Sequence, residues 1–152
     1  MNLNEAHQLA HKLMDKHELL NKGWYFKFDN AKKRFGICWK SKKMISLSKH
    51  LTKLNNKKHV KDVILHEIAH ALSPVRGHNK YFYAICKKIG ATPSRCYSNE
   101  VKQPDSPYKL ICNNCGYSYN KYRKTKREHS CGKCSPGKFN RKFLLEFVGI
   151  QS

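Results

Sequence analysis

Val63-Ile-Leu-His-Glu-Ile-Ala-His-Ala-Leu72, followed closely by Arg76-Gly-His-Asn79, is the stretch whose reading decides the rest. His66 and His70 stand four residues apart. At ~100° per residue on a helix they are offset by only ~40°, so both imidazoles leave one face a turn apart. Two ring nitrogens so placed can grip one metal ion. Glu67 lies beside the pair and reaches toward a water at the metal rather than the metal itself. The pattern is H-E-x-x-H, the zinc-hydrolase helix with the glutamate as general base. In this composition an accidental match is expected only about 0.02 times. Val60, Val63, Ile64, Ile68, Ala71 and Leu72 recur at helical spacing, which predicts a buried helix over residues 57–73. Imidazoles and a carboxylate on a buried helix need partners, and a metal supplies them. The bland alternative is a helix with two solvated histidines. His7 and His11 give that reading: the same spacing without a glutamate, on an amphipathic helix carrying Leu3, Ala6, Leu9, Ala10, Leu13 and Met14.

A catalytic zinc keeps three protein ligands and one open position. Pro74 should end the helix after Ser73, and Gly77 can supply an unusual backbone angle. His78 is then placed to fold back toward the metal. Glu100 is the rival third ligand, in a set of two histidines and one glutamate.

The chain has 152 residues and a formal net charge of +21. Two zinc ions with four thiolates leave that charge unchanged. Such a surplus predicts a polyanionic partner, most simply nucleic acid, ahead of an anionic membrane surface. No stretch approaches the ~18 apolar residues of a membrane span, the longest apolar-rich run being residues 143–150, and the N-terminus lacks a signal-peptide core. The expectation is an intracellular protein, cytoplasmic or nucleoid-associated, with reduced thiols. Seven cysteines, an odd number, also argue against a complete disulfide framework.

The fold class read from the pattern is α+β. Residues 4–20 form a helix. Residues 24–28 and 35–39 are two strands around a turn near Asp29-Asn30, and residues 44–48 a third, in a small antiparallel sheet. Cys38 is assigned to the core, and His50 and His59 to solvent. Another helix, residues 79–89, follows the metal helix and stops at Gly90. Residues 101–107, with two prolines, read as a linker, which divides the chain into 1–104 and 105–152.

Beyond it, Cys112-Asn-Asn-Cys115 and Cys131-Gly-Lys-Cys134 have the spacing of a four-cysteine zinc site rather than of a disulfide or redox pair. A closed site of this kind holds structure and performs no chemistry. Phe139, Phe143, Leu145 and Phe147 are expected to form a strand over it. Between the pairs, Tyr117, Tyr119 and Tyr122 interleave with Lys121, Arg123, Lys124, Lys126 and Arg127. Cations neutralise phosphates and aromatic faces stack on unpaired bases, which suggests single-stranded or distorted nucleic acid. Tyrosines in small ribbons also pack as core.

With these residues in place the chain resembles the SprT-like metallopeptidases, the group that includes Spartan. The resemblance runs through Ile45-Ser-Leu-Ser48, His66-Glu-Ile-Ala-His70, Gly77-His78 with the later Phe82, and the C-terminal ribbon. Family members often have glycine where Asn79 stands. The resemblance implies a small zincin-like metallopeptidase domain followed by a four-cysteine zinc ribbon. It also implies one catalytic zinc on His66, His70 and His78 with Glu67 as base, and DNA-dependent cleavage of proteins crosslinked to DNA. Two rival functions remain: a nucleic-acid-binding ribbon protein with a silent peptidase fold, and a small metallopeptidase with a specific substrate away from DNA.

Overall fold

The computed structural model describes residues 1–93 and 100–149; Cys96 and Ile150 lie outside them. The chain divides into two compact units, Met1–Pro104 and Asp105–Ser152.

In the first unit, α1 (Leu3–Lys16) begins where the Asn2 side chain accepts the Asn4 amide, and it buries Ala6, Ala10, Leu13 and Met14. It ends at Lys16, short of residue 20. Glu18 takes a left-handed backbone with φ 56°, and a 3-10 turn, Leu20–Lys22, leads to Gly23. Three strands follow: β1 (Tyr25–Asp29), β2 (Gly36–Trp39) and β3 (Met44–Ser48).

They do not form the expected antiparallel hairpin sheet. The order is β1-β3-β2, with β1 parallel and β2 antiparallel to the central β3. All five residues of β3 are buried, and this strand takes the middle. The turn near Asp29 does not close a hairpin because Asp29 is engaged elsewhere. Its carboxylate accepts the Ala31 amide at 2.8 Å, the Arg34 guanidinium at 2.5 Å and the Ser46 hydroxyl of β3. The Ser48 hydroxyl donates to the Ala31 carbonyl at 2.5 Å. The loop is thereby carried across β3, and β2 emerges on the far side.

A short helix that the periodicity did not reveal, α2 (Lys49–Leu54), follows at once, with Ser48 as its cap. Next come α3 (Lys57–Leu72), capped by Asn56, and α4 (Lys80–Ile89), capped by Asn79 and stopped by Gly90 at φ 72°. The helices and one sheet face share a core that includes Met14, Ile45, Leu47, Ile64, Ile68 and Phe82. The start of the expected linker belongs to this core. Val101 is buried there, and the Asn55 side chain holds the Lys102 amide at 2.8 Å and its carbonyl at 2.9 Å.

The second unit is an antiparallel sheet of order β5-β4-β6, from β4 (Tyr108–Cys112), β5 (Ser118–Lys121) and β6 (Leu145–Gly149). Leu145 and Phe147 lie in β6, with the Phe147 ring 4.9 Å from Tyr108. Phe143 sits in a preceding 3-10 turn, and Phe139 is 58% exposed, outside the expected strand. Among the described residues, its buried apolar side chains are Leu110, Cys112 and Cys131. So thin a core requires another source of stability.

Candidate functional site

The first unit assembles its site from one helix and one loop. His66 and His70 project from α3, with ring centroids 4.9 Å apart. The helix ends at Ser73, and Gly77, at φ 86°, turns the chain back so that His78 meets them. Asn79, standing where a glycine was the familiar residue, fastens this loop. Its side-chain oxygen accepts the Tyr81 and Phe82 amides at 3.0 and 3.2 Å, and its amide donates to the Arg76 carbonyl at 3.1 Å. Phe82, fully buried, stacks on His70 at 4.3 Å and meets His66 and His78 edge-on at 5.1 and 4.6 Å. The three imidazoles therefore rest on a rigid aromatic floor.

One donor nitrogen from each of the three lies within 4.8 Å of the others. His66 Nε2 and His78 Nε2 are 3.2 Å apart, close to the ~3.3 Å that two nitrogens keep on a tetrahedral zinc with ~2.0–2.1 Å bonds. His66 Nδ1 is 3.0 Å from the Thr92 carbonyl. A carbonyl only accepts, so that nitrogen carries the proton and Nε2 presents a lone pair to the centre. The donor set fits zinc. Glu100, the rival ligand, belongs to neither metal-holding group among the described residues. Its carboxylate is 3.5 Å from His59, which is half-buried instead of solvated.

Burial lowers the His66 pKa. It takes His70 down to about 4, helped by His66, His78 and Lys40. Both rings thus stay neutral, as metal ligands must. Glu67 is buried, and desolvation pushes it up to about 8 against the Arg34 charge and a hydrogen bond from the Cys38 amide. A divalent cation beside it would oppose that rise.

These groups line an open cleft of about 470 Å³ whose other wall is β2. The cleft wall contains residues the sequence did not mark. The Ser48 amide donates to the Phe35 carbonyl across the sheet at 2.7 Å, so the alternation of an antiparallel ladder turns the amides and carbonyls of Gly36 and Cys38 outward. The Cys38 amide reaches Glu67. Gly36 leaves the room: a Cβ there would stand 2.8 Å from Glu67 Oε1 and 2.8 Å from Val63 Cγ1. Cys38 is not a core residue but a half-buried one on the cleft, its thiol pushed up to about 12 by burial and then by Glu67. Lys40 ties this wall to the end of α3 by donating to the Ser73 carbonyl. No sequence signal identifies Gly36 or Lys40; only the packing of β2 on α3 does.

In the second unit, Cys112, Cys115, Cys131 and Cys134 place their sulfurs within 4.8 Å of one another. Cys112 and Cys134 are 3.8 Å apart, and Cys115 and Cys131 3.6 Å. Tetrahedral zinc with ~2.3 Å bonds to sulfur sets ~3.8 Å, whereas a disulfide would need ~2.05 Å. The Cys134 amide, donating to the Cys131 sulfur, holds that thiol down to about 7. This donor set also fits zinc, with every position filled by the protein.

The candidate nucleic-acid residues share this unit. Tyr117, just before β5, is exposed and Tyr119, on β5, is half-buried, their rings 6.3 Å apart. Lys133 lies 4.5 Å over Tyr117 and Lys121 5.5 Å over Tyr119. Tyr122 is half-buried, while Arg123, Lys124, Lys126 and Arg127 are exposed. Lys133, from the second knuckle, was not among the residues marked by the sequence.

Residues 3–104 match the model of the SprT-like family. The chain belongs to the SprT-like family. It is 29% identical over 99 residues to "Protein SprT-like" of Oceanobacillus iheyensis, a stretch covering 62% of this chain and 66% of that protein. The matched SprT-like region is the unit that carries His66, Glu67, His70 and His78. Among the described residues, no helix is long and apolar enough to cross a membrane.

Proposed function

We propose that this SprT-like protein is a zinc endopeptidase of zincin-like design that works on proteins held on DNA. The observation that carries the reading is a buried carboxylate, Glu67, one residue from a converging trio of imidazoles and directly below an open strand edge. His66, His70 and His78 would hold the ion. Zinc would supply Lewis acidity, which acidifies a water and polarises a peptide carbonyl. The chain's own groups do the rest. An extended peptide can add to β2 through the outward backbone groups other than the Cys38 amide, which Glu67 engages, and this fixes the scissile bond without a deep side-chain pocket. Glu67 accepts the proton of the attacking water and passes it to the departing amine. Phe82 and the Thr92 carbonyl keep the ligands in place.

The net charge of +21 and the tyrosine–lysine surface of the second unit support a DNA partner. Holding DNA would raise the local concentration of DNA-bound proteins at the cleft. Substrate choice would then come from tethering, and the protein would work inside the cell on chromosomal adducts.

The test is proteolysis of a protein crosslinked to a DNA oligomer, with zinc content measured alongside. Wild type should cleave, faster with DNA and more slowly as salt rises. Glu67→Gln should keep its zinc and lose about 10²–10⁴-fold in rate. Full activity in Glu67→Gln would contradict the assignment. Cleavage indifferent to DNA would favour a peptidase with another substrate.

A further inference from the structure

Two aromatic side chains, Tyr25 and, at the rim of the cleft, Trp39, stand exposed on one face of the first sheet. Met44 of β3 pairs with Tyr25 of β1 on one side and with Trp39 of β2 on the other. Residues paired across a sheet project from the same face, so these three form a row. The face is the one turned away from α3, because the alternate positions Gly36 and Cys38 are those directed at Glu67. Tyr25 is 47% and Trp39 42% exposed, flanking Met44 at 4%. Rings of this size ordinarily bury most of their surface or have a use for its exposure.

The surroundings of the row are cationic. Lys42 lies 5.3 Å over the Trp39 ring. Lys27, the next outward residue of β1, is exposed, and Lys43, beside Met44, turns its ammonium to the Lys22 carbonyl at 2.9 Å. The acidic groups nearby are engaged: Asp29 with Arg34 at 2.5 Å, and Glu18 with Lys22 at 3.9 Å.

We propose that Tyr25 and Trp39 form a stacking platform for unpaired nucleic-acid bases on the SprT-like unit itself, with Lys27 and Lys42 meeting the phosphates. The proposal rests on the DNA-directed reading above and adds a second contact surface to it. The two rings are separated by two strand spacings, about 10 Å, which suits bases that stack separately with the backbone running between them. Exposed aromatic rings at one end of a sheet, with lysines beside them, are how single strands are held without sequence preference. Trp39 also ends the strand that walls the cleft, so a strand seated here would carry an attached protein past the cleft mouth.

The chain has two tryptophans, Trp24 and Trp39, so indole emission reports directly on the platform. The zinc-loaded full chain is titrated with a fluorescein-labelled oligothymidine, reading anisotropy, and with the unlabelled oligomer, reading tryptophan emission. Emission should be quenched in wild type and in Trp24→Phe, whereas in Trp39→Ala the quenching should vanish. Tyr25→Ala and Trp39→Ala should each weaken binding about tenfold, with zinc content and circular dichroism unchanged. Lys42→Gln, an exposed change that leaves the fold alone, should lower the salt slope by about one. Oligothymidine binding with unchanged Trp39 emission and wild-type affinity in these variants would overturn the platform and leave the DNA-directed reading standing. No binding by wild type would remove both. Equal quenching by a polyglutamate peptide would assign the face to an acidic protein partner and overturn the proposal.

Discussion

The two metal-holding groups of this chain are built on opposite plans. The imidazole trio uses three side chains from one helix and one loop, sits on a packed core, and faces an open cleft. The thiol quartet uses four side chains from two knuckles and has almost no core of its own. In the first unit a packed core lies beneath the site; in the second, little besides Leu110, Cys112 and Cys131 is buried among the described residues. Three ligands leave a tetrahedral ion one position for chemistry, and four leave none. A carboxylate stands beside the trio, and no acidic residue is grouped with the quartet among the described residues.

Removing one ligand from each site puts that contrast at risk. Cys131→Ser should cost most of the ~10–16 kcal/mol that a structural zinc contributes to a small domain. The expected outcome is loss of one of two zinc ions, with amide-exchange protection lost across β4–β6. Tryptophan emission reports only on the first unit, where both indoles lie, and should show an unchanged transition. His78→Ala should also lose an ion yet leave both units folded, because Phe82 and the core beneath remain. Preserved protection of β4–β6 in Cys131→Ser would mean the second unit is held by something other than its metal.

Legibility in the sequence followed the same division. Where the donors are close in sequence, spacing alone gave the geometry: a helix turn sets His66 against His70, and each C-x-x-C pair makes a knuckle. His78 was reachable because Pro74 and Gly77 mark the end of the helix and the reversal. The sheet was not legible. Three short strands with alternating character fit either a hairpin or a crossed order. The choice depends on Asp29 binding Ser46 of a strand seventeen positions away, which no local pattern encodes. Gly36 and Lys40 were invisible for the same reason, since their roles exist only once β2 lies on α3. Spacing and charge alone pointed to a zinc hydrolase with a polyanionic partner; the expectation of proteolysis on DNA came from the family resemblance.

Gly36 offers a finer comparison between the two sites. Adding a methyl group at Gly36→Ala places it 2.8 Å from Glu67 Oε1, whereas a Cβ at Gly132, between the second pair of cysteines, meets nothing within 4 Å. Overpacking should cost Gly36→Ala about 1–3 kcal/mol of stability. Displacing the carboxylate should lower kcat/KM about 10–100-fold with zinc content unchanged. Gly132→Ala should match wild type in both measurements. If Gly36→Ala keeps full kcat/KM, Glu67 is not held in place by the absence of that side chain.

The smallest expected effect is the pH dependence of the metal-free first unit, followed through tryptophan emission during denaturation. His70 is held at about 4 against an ordinary 6.5. Between these values the unfolded chain binds a proton that the folded chain refuses, so His70 makes stability fall as pH drops. Glu67 is raised to about 8 from 4.5. Here the folded chain keeps a proton that the unfolded chain releases, so Glu67 makes stability fall as pH rises across that window. The two slopes oppose from 4.5 to 6.5, and from 6.5 to 8 Glu67 acts alone. Metal-free wild type should therefore lose stability above pH 6.5, and metal-free Glu67→Gln should not. Zinc should flatten the wild-type profile, because a cation on the three imidazoles blocks their protonation and favours the ionised carboxylate. A zinc-loaded profile as steep as the metal-free one would place the ion away from Glu67, and the contrast between an open and a closed centre would lose its physical basis.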